Sequence, residues 1–273
     1  MGGRLDSTNV ILPPEVAILT HISHDHMGEL GTEITQIAAE KTGILKAGSV
    51  CICDRNQPIE VKKVVSSACL HKGVELMHSH EPCVEVSNSN ENVWTYDGVR
   101  YRTKLLGPHQ ISNAMLAVTA LLKIGLSVEY IKRGIYFAHI PARLEKICDT
   151  PLIILDGAHN PDGMAALRKS LNLFEKKPLI GVVSMLKTKD YRTALTKIND
   201  TFDKLIITVM DFENVVGAEL LLKAAIDLKF NASVEKNLKL AIRTAKSLAG
   251  NDGIVVFFGS LYFSSQVRNI LLN

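Results

Sequence analysis

The sequence contains no Gly-Lys dipeptide, and therefore no Gly-x-x-x-x-Gly-Lys-Ser/Thr loop to cradle a triphosphate. It also lacks a Gly-x-Ser-x-Gly elbow, which would expose a nucleophilic serine, and a Gly-x-Gly-x-x-Gly turn for a dinucleotide. Cysteine is scarce: five residues, an odd number, with no Cys-x-x-Cys pair. That argues against a disulfide framework and predicts reduced thiols in a cytoplasmic protein. Neither sign of charge is in marked excess. Lys plus Arg number 31 against 28 acidic residues, so a net of +3 gives no electrostatic case for nucleic acid or an anionic membrane. Apolar runs such as Leu152–Leu155 and Ile254–Phe258 fall far short of the roughly 18 residues a spanning helix needs.

What is present is a normal globular composition, 47% hydrophobic and 22% charged, enough for a substantial core. A length of 273 residues allows one large domain or two of ordinary size. The second half patterns clearly. Runs that are apolar throughout recur at Leu152–Leu155, Leu179–Val183, 205–209 and Ile254–Phe258, with a shorter one at Ala232–Val234. Between them lie helical spacings such as Met164, Leu167, Leu171 and Phe174. Strands of that kind alternating with helices predict a parallel sheet covered on both faces, a Rossmann-like domain. In the first half, 16–20 and Val50–Cys53 read as buried strands and 33–42 as a helix ending at Gly43. Asp97-Gly98 between Val93 and Thr103 predicts a hairpin, and 110–124 and 128–138 read as helices. Ile140-Pro141-Ala142 is the expected linker.

Chemistry-bearing residues concentrate in three places. His21, His24, Asp25 and His26 follow the first strand, where ligands gather in open α/β sheets. Three imidazoles and a carboxylate could hold a metal, but the spacing is His-x-x-His-Asp-His, not the His-x-His-x-Asp-His of a metallo-β-lactamase-like hydrolase. Asp156-Gly157-Ala158-His159-Asn160-Pro161 closes a strand and opens a helix, a junction able to aim a carboxylate at a ribose and amide N–H groups at an anion. Gly107-Pro108-His109-Gln110 with Asn113 starts an amphipathic helix.

These segments belong to a longer ordered series. Gly2-Gly3-Arg4-Leu5-Asp6-Ser7-Thr8-Asn9 is followed by Asp25-His26 and Glu40-Lys41-Thr42-Gly43-Ile44. Gly107-Pro108-His109-Gln110, Asn113-Ala114, Pro141-Ala142-Arg143-Leu144-Glu145 and the Asp156–Pro161 junction come next, then Lys189-Asp190 and Gly259-Ser260-Leu261-Tyr262. Taken together they resemble the folylpolyglutamate synthases, the bifunctional dihydrofolate synthase type included, within the Mur ligase superfamily, over essentially the whole chain.

The resemblance implies an α/β protein. Residues 1–140 would be the C-terminal part of a Mur-ligase-type P-loop ATPase domain, and 141–273 the Rossmann-like, glutamate-binding domain. It implies a cytoplasmic ligase, monomeric when complete, that uses ATP and Mg²⁺ to join L-glutamate to the carboxyl of a folate through an acyl phosphate. By motif position, His26 would bind Mg²⁺ and Lys41 would be carbamylated, turning an ammonium into an anionic metal ligand. Arg4, Leu5 and Asp6 would grip the pterin. His109 and Asn113 would lie at the nucleotide, Arg143 near its phosphates and Asp156 on the ribose. His159 and Ser260 would face the acyl phosphate or the incoming glutamate. Without a family, Asp6 reads as a turn residue, Lys41 as a solvated helix lysine and Ser260 as a helix N-cap.

Ala142 stands where the family usually has Gly, and Thr188 where it often has Asp. The larger departure is that the family's P-loop lies upstream of its Gly-Gly-Arg-Leu-Asp segment, and these 273 residues contain none. The expectation is an N-terminally truncated, weakly active or inactive chain. The alternatives are a non-catalytic folate- or partner-binding remnant and a metal-dependent hydrolase working through His21, His24 and His26.

Overall fold

The structure, a computed structural model, describes every residue except Met1, His26 and Lys176. It divides into two units: residues up to Lys104 together with Pro108–Ala138, and Leu105–Gly107 together with His139–Asn273.

In the first unit β1 (Val16–Leu19) leads through α1 (Met27–Leu30) and α2 (Ile34–Lys41) to β2 (Val50–Cys53), and α3 (Ile59–Lys72) carries the chain to β3 (Glu75–His78). The three strands are parallel in the order β1-β2-β3, with Val16 opposite Val50 and Val50 opposite Glu75. Strand alternation sends Cys51 and Cys53 toward Ile37, Ala38, Val61, Val65 and Cys69 of α2 and α3. Ile52, between them, faces Leu116 and Ala120 of α4 (Pro108–Lys123). Burial pushes the thiols of Cys51, Cys53 and Cys69 up, Cys53 to about 11, so they stay protonated and unreactive.

An antiparallel sheet follows, β4 (Cys83–Ser87), β5 (Asn92–Tyr96) and β6 (Val99–Thr103), in that spatial order. Its hairpin turns at Asp97 and Gly98, both at positive φ, as a tight turn of matching twist requires. Trp94 and Tyr101 pack from this sheet onto Met115 and Val118 of α4 and onto Ile131 and Ile135 of α5 (Val128–Phe137).

The second unit opens on β7 (Glu145–Asp149), which runs antiparallel to β8 (Leu152–Leu155). Then come α6 (Pro161–Leu171), β9 (Leu179–Val183), α7 (Tyr191–Thr196), β10 (Lys204–Ile207), α8 (Ala218–Asp227) and β11 (Ala232–Val234). The chain ends with α9 (Leu238–Ala249), β12 (Ile254–Phe258) and α10 (Leu261–Leu272). The sheet order is β11-β10-β9-β12-β8-β7, parallel except for β7. Leu152, Ile154, Val256 and Phe258 face α6, α7 and α8, while Ile153, Leu155, Val255 and Phe257 face α9 and α10. Covering both faces is why these strands read as apolar throughout.

The helices expected at 33–42, 110–124 and 128–138 occur as Ile34–Lys41, Pro108–Lys123 and Val128–Phe137. Helix α8 shows a correctable flaw: Lys229, exposed and just past its end, sits at φ 65, where a helix terminus favours glycine. Lys229→Gly is expected to stabilise the second unit by about 0.5–1 kcal/mol, since the left-handed penalty exceeds glycine's added unfolded-state entropy. Denaturant titration checks this, and an unchanged or lower midpoint would count against it.

Candidate active site

In the first unit, residues 2–9 are locked onto residues 40–46. The Arg4 amide donates to the Glu40 carbonyl at 2.9 Å, and the Arg4 guanidinium donates from Nε to both Glu40 carboxylate oxygens at 3.0 and 3.1 Å. Asn9 Nδ2 donates to the Gly43 carbonyl at 3.1 Å, and Lys46 Nζ to the Asn9 carbonyl at 3.0 Å. Gly43 permits this approach: a Cβ there would lie 2.3 Å from Arg4 Cα and 2.5 Å from Arg4 N. Arg4, Leu5 and Asp6 are thereby held beside the turn that carries Lys41. Asp6 accepts from the Thr8 amide and hydroxyl at 2.9 and 2.6 Å, so it does serve a turn, capping the short 3-10 helix Ser7–Val10. Leu5 is 78% exposed. Lys41 is the last residue of α2, half-buried, and its ammonium makes no hydrogen bond or ion pair among the described residues.

His26 lies outside the described residues. Of the other histidines after β1, His24 is exposed, and His21 Nδ1 lies 3.9 Å from Asp54 Oδ2. Among the described residues no group of three His, Cys, Asp or Glu is placed to hold an ion. This loop is braced by a residue with no sequence signal, Gln57. Buried at the start of α3's approach, it donates to the Thr20 carbonyl at 2.7 Å and accepts from the Ile22 amide at 2.9 Å. His109 and Asn113 sit in the first two turns of α4, where Asn113 Nδ2 donates to Gln110 Oε1 at 3.2 Å.

The second unit gathers its own candidate residues at the carboxyl ends of β8, β12 and β9. The helix after β8 packs on one face of the sheet and the helix after β12 on the other, so a crevice opens between these neighbouring strands. Two helix N-termini point there. Asn160 caps α6 by accepting from the Gly163 amide at 2.8 Å, and Ser260 caps α10 by accepting from the Tyr262 amide at 3.2 Å. Their dipoles favour an anion, with the Asp162 carboxylate in the first turn of α6 opposing. Arg143 reaches the same turn: a Gly157 Cβ would stand 2.9 Å from its Nη1 and 2.3 Å from Leu261 Cδ2, which is why position 157 carries no side chain. His159 Nδ1 lies 2.7 Å from the Gly157 carbonyl.

Asp156 is the joint of this region. Its side chain is buried and accepts from the Leu144 amide at 2.9 Å and the Ala158 amide at 2.8 Å, one on each oxygen. Burial pushes its carboxyl above the ordinary range, and the two amides, Arg143 and His159 act against that rise. Glu145 is a second joint. It accepts from the Ala142 amide at 3.0 Å, and its carboxylate lies 3.0 Å from Arg268 Nε and 3.5 Å from His139 Nε2. Ala142 sits at φ 55, but its methyl is buried in the core, which offsets the strain.

The Mur ligase middle domain model matches residues 2–121, and the model for the Mur ligase glutamate ligase domain matches 142–261. The dihydrofolate synthase/folylpolyglutamate synthase of Bacillus subtilis is 31% identical over 99% of the chain and 66% of its own length. The folylpolyglutamate synthase of Lacticaseibacillus casei is 32% identical over 100% of the chain and 65% of its own length. The chain therefore spans just under two thirds of these curated relatives. The solved folylpolyglutamate synthase of Mycobacterium tuberculosis, complexed with ADP and AMPPCP, superposes with a TM-score of 0.90 at 29% identity, covering all of this chain and 67% of that one.

Proposed function

Because this chain belongs to the Mur ligases, among the folylpolyglutamate and dihydrofolate synthases, we propose that it is the part of an ATP-dependent ligase that seats folate, nucleotide base and glutamate. The strongest support is that both family domains match in order and that the chain superposes along its whole length on a folylpolyglutamate synthase. The complete reaction would phosphorylate a folate carboxylate with ATP, and the glutamate amine would displace the phosphate.

The roles follow position. Arg4, Leu5 and Asp6, fixed against the Lys41 turn, receive the pterin. His109 and Asn113 at the start of α4 meet the base, Arg143 the phosphates and Asp156 the ribose. His159 and Ser260, beside the two helix N-termini, attend the transferring phosphoryl group or glutamate; charge developing there is what fixed dipoles and a guanidinium stabilise. The Lys41 amine, without a partner among the described residues, suits carbamylation, since a paired ammonium would resist losing its charge. Magnesium would offset charge between nucleotide and carboxylate. The described residues form no ion cage by themselves. The five unpaired cysteines suit a cytoplasmic enzyme, and among the described residues no helix is long and apolar enough to cross a membrane. The hydrolase reading finds no support in the relatives.

The 273 residues hold no Gly-Lys phosphate loop, so by themselves they should bind nucleotide weakly and through the base. Titrating ADP into the purified chain is expected to give a dissociation constant near or above roughly 1 mM. Asn113→Ala should lose that binding. ADP binding unchanged by Asn113→Ala would remove α4 from the nucleotide site, and brisk glutamate addition by the chain alone would overturn the partial-ligase reading.

A further inference from the structure

Alternation along β6 buries Tyr101 and Thr103 and leaves Arg100 and Arg102 exposed on one face, two residues apart. Helix α5 lies along this strand and adds Lys132, Arg133, Tyr136 and Phe137, enclosing a cleft of about 200 Å³. Every side chain lining it is cationic or aromatic. Arg102 and Lys104 stand 5.4 and 5.0 Å from the centre of the Tyr136 ring, and Phe137 meets that ring edge-on at 5.1 Å. Three of the cations already hold carboxylates: Arg100 pairs with Glu85 at 2.7 Å, Arg102 with Glu91 at 2.7 Å and Lys132 with Glu129 at 3.5 Å. Arg133 has no ion pair among the described residues.

A charged edge strand guards against strand addition. That accounts for Arg100 and Arg102 but not for Lys132 and Arg133, which come from helix α5. We propose that this cleft binds a small multivalent oxyanion, with linked carboxylates or phosphates bridging the β6 arginines and Arg133 over the Tyr136 ring. Guanidinium forks match both groups. Two arginines two residues apart, about 7 Å along a strand, suit two joined anionic groups better than one. The volume is below that of pockets for whole drug-sized ligands, so it fits a fragment rather than an entire nucleotide.

The test titrates the purified chain with γ-glutamylglutamate and, separately, with pyrophosphate, read by calorimetry and by backbone amide shifts. At least one probe is expected to bind in the submillimolar range and to shift amides in 100–104 and 132–137. Tighter binding of the first identifies a glutamyl tail as the source, and tighter binding of the second a phosphate compound. Arg133→Gln, at an exposed helix position, should weaken binding by about fivefold or more. Lys236→Gln, which removes a remote surface cation paired with Glu219, should not. Binding of neither probe, shifts confined to other residues, or equal loss in both variants would overturn the proposal.

Discussion

Replacing Gly43 with alanine is expected to unseat residues 2–9 while leaving the rest of the first unit folded. The added methyl would overlap Arg4 main-chain atoms at 2.3–2.5 Å, and backbone cannot rotate away as a side chain can. What holds the segment is modest. A few hydrogen bonds contribute about 1 kcal/mol each, and the Arg4–Glu40 pair, with its arginine 59% exposed, contributes at most about 1 kcal/mol. Overpacking of this severity costs about 3 kcal/mol, so the segment yields before the sheet does. Hydrogen exchange at the Arg4 and Asn9 amides, bonded to the Glu40 and Asp6 carbonyls, should speed up by at least about tenfold, with only a small fall in melting temperature. Intact protection at those amides would sink the idea. In a complete ligase the same substitution should raise the KM for folate more than it lowers kcat.

Asp156→Ala should destabilise the second unit by about 3 kcal/mol at neutral pH, through two buried amide donors, those of Leu144 and Ala158, left without acceptors. Removing a buried carboxylate gives part of the loss back, which keeps the figure below the sum of two orphaned donors. The pH dependence distinguishes this account from simple loss of packing. Burial raises the folded-state affinity of Asp156 for a proton above its unfolded value, so the folded protein binds more protons across that window. The wild-type contribution is therefore full below the unfolded pKa and declines as pH rises through the folded one. The gap between wild type and Asp156→Ala should widen as pH is lowered from 7 toward 4. A gap that narrows on acidification would show that the carboxylate is stabilised, not strained, by its surroundings.

The second sheet could be read from the sequence because its strands are short, apolar throughout and separated by amphipathic helices; Leu179–Val183 and Ile254–Phe258 need no tertiary information to be recognised. Strand β7 was missed for a related reason. Glu145–Asp149 mixes charged and half-buried positions, because an antiparallel edge strand is covered less than its neighbours. The segments of the candidate site are equally visible as motifs, but the contacts of their side chains are not. Asp156 could be marked as a ribose candidate, yet nothing along the chain says that both its oxygens meet amides twelve residues before and two residues after it. Gln57 carries no distinguishing pattern, since its partners lie 37 and 35 positions away, and the motif that contains Glu40 gives no sign of its bond to Arg4, 36 positions away.

By itself, then, the sequence determined the class of fold, the order of its segments and the family, because periodicity and motif order are properties of neighbouring residues. Folding alone decided which side chain meets which. Only the tertiary structure puts Gly43 under Arg4, joins Asp156 to the Leu144 amide, or ranges the β6 arginines against Arg133 and Tyr136 of α5. Contacts of that kind depend on strand order and helix placement, which bring together residues whose sequence neighbours give no sign of the encounter.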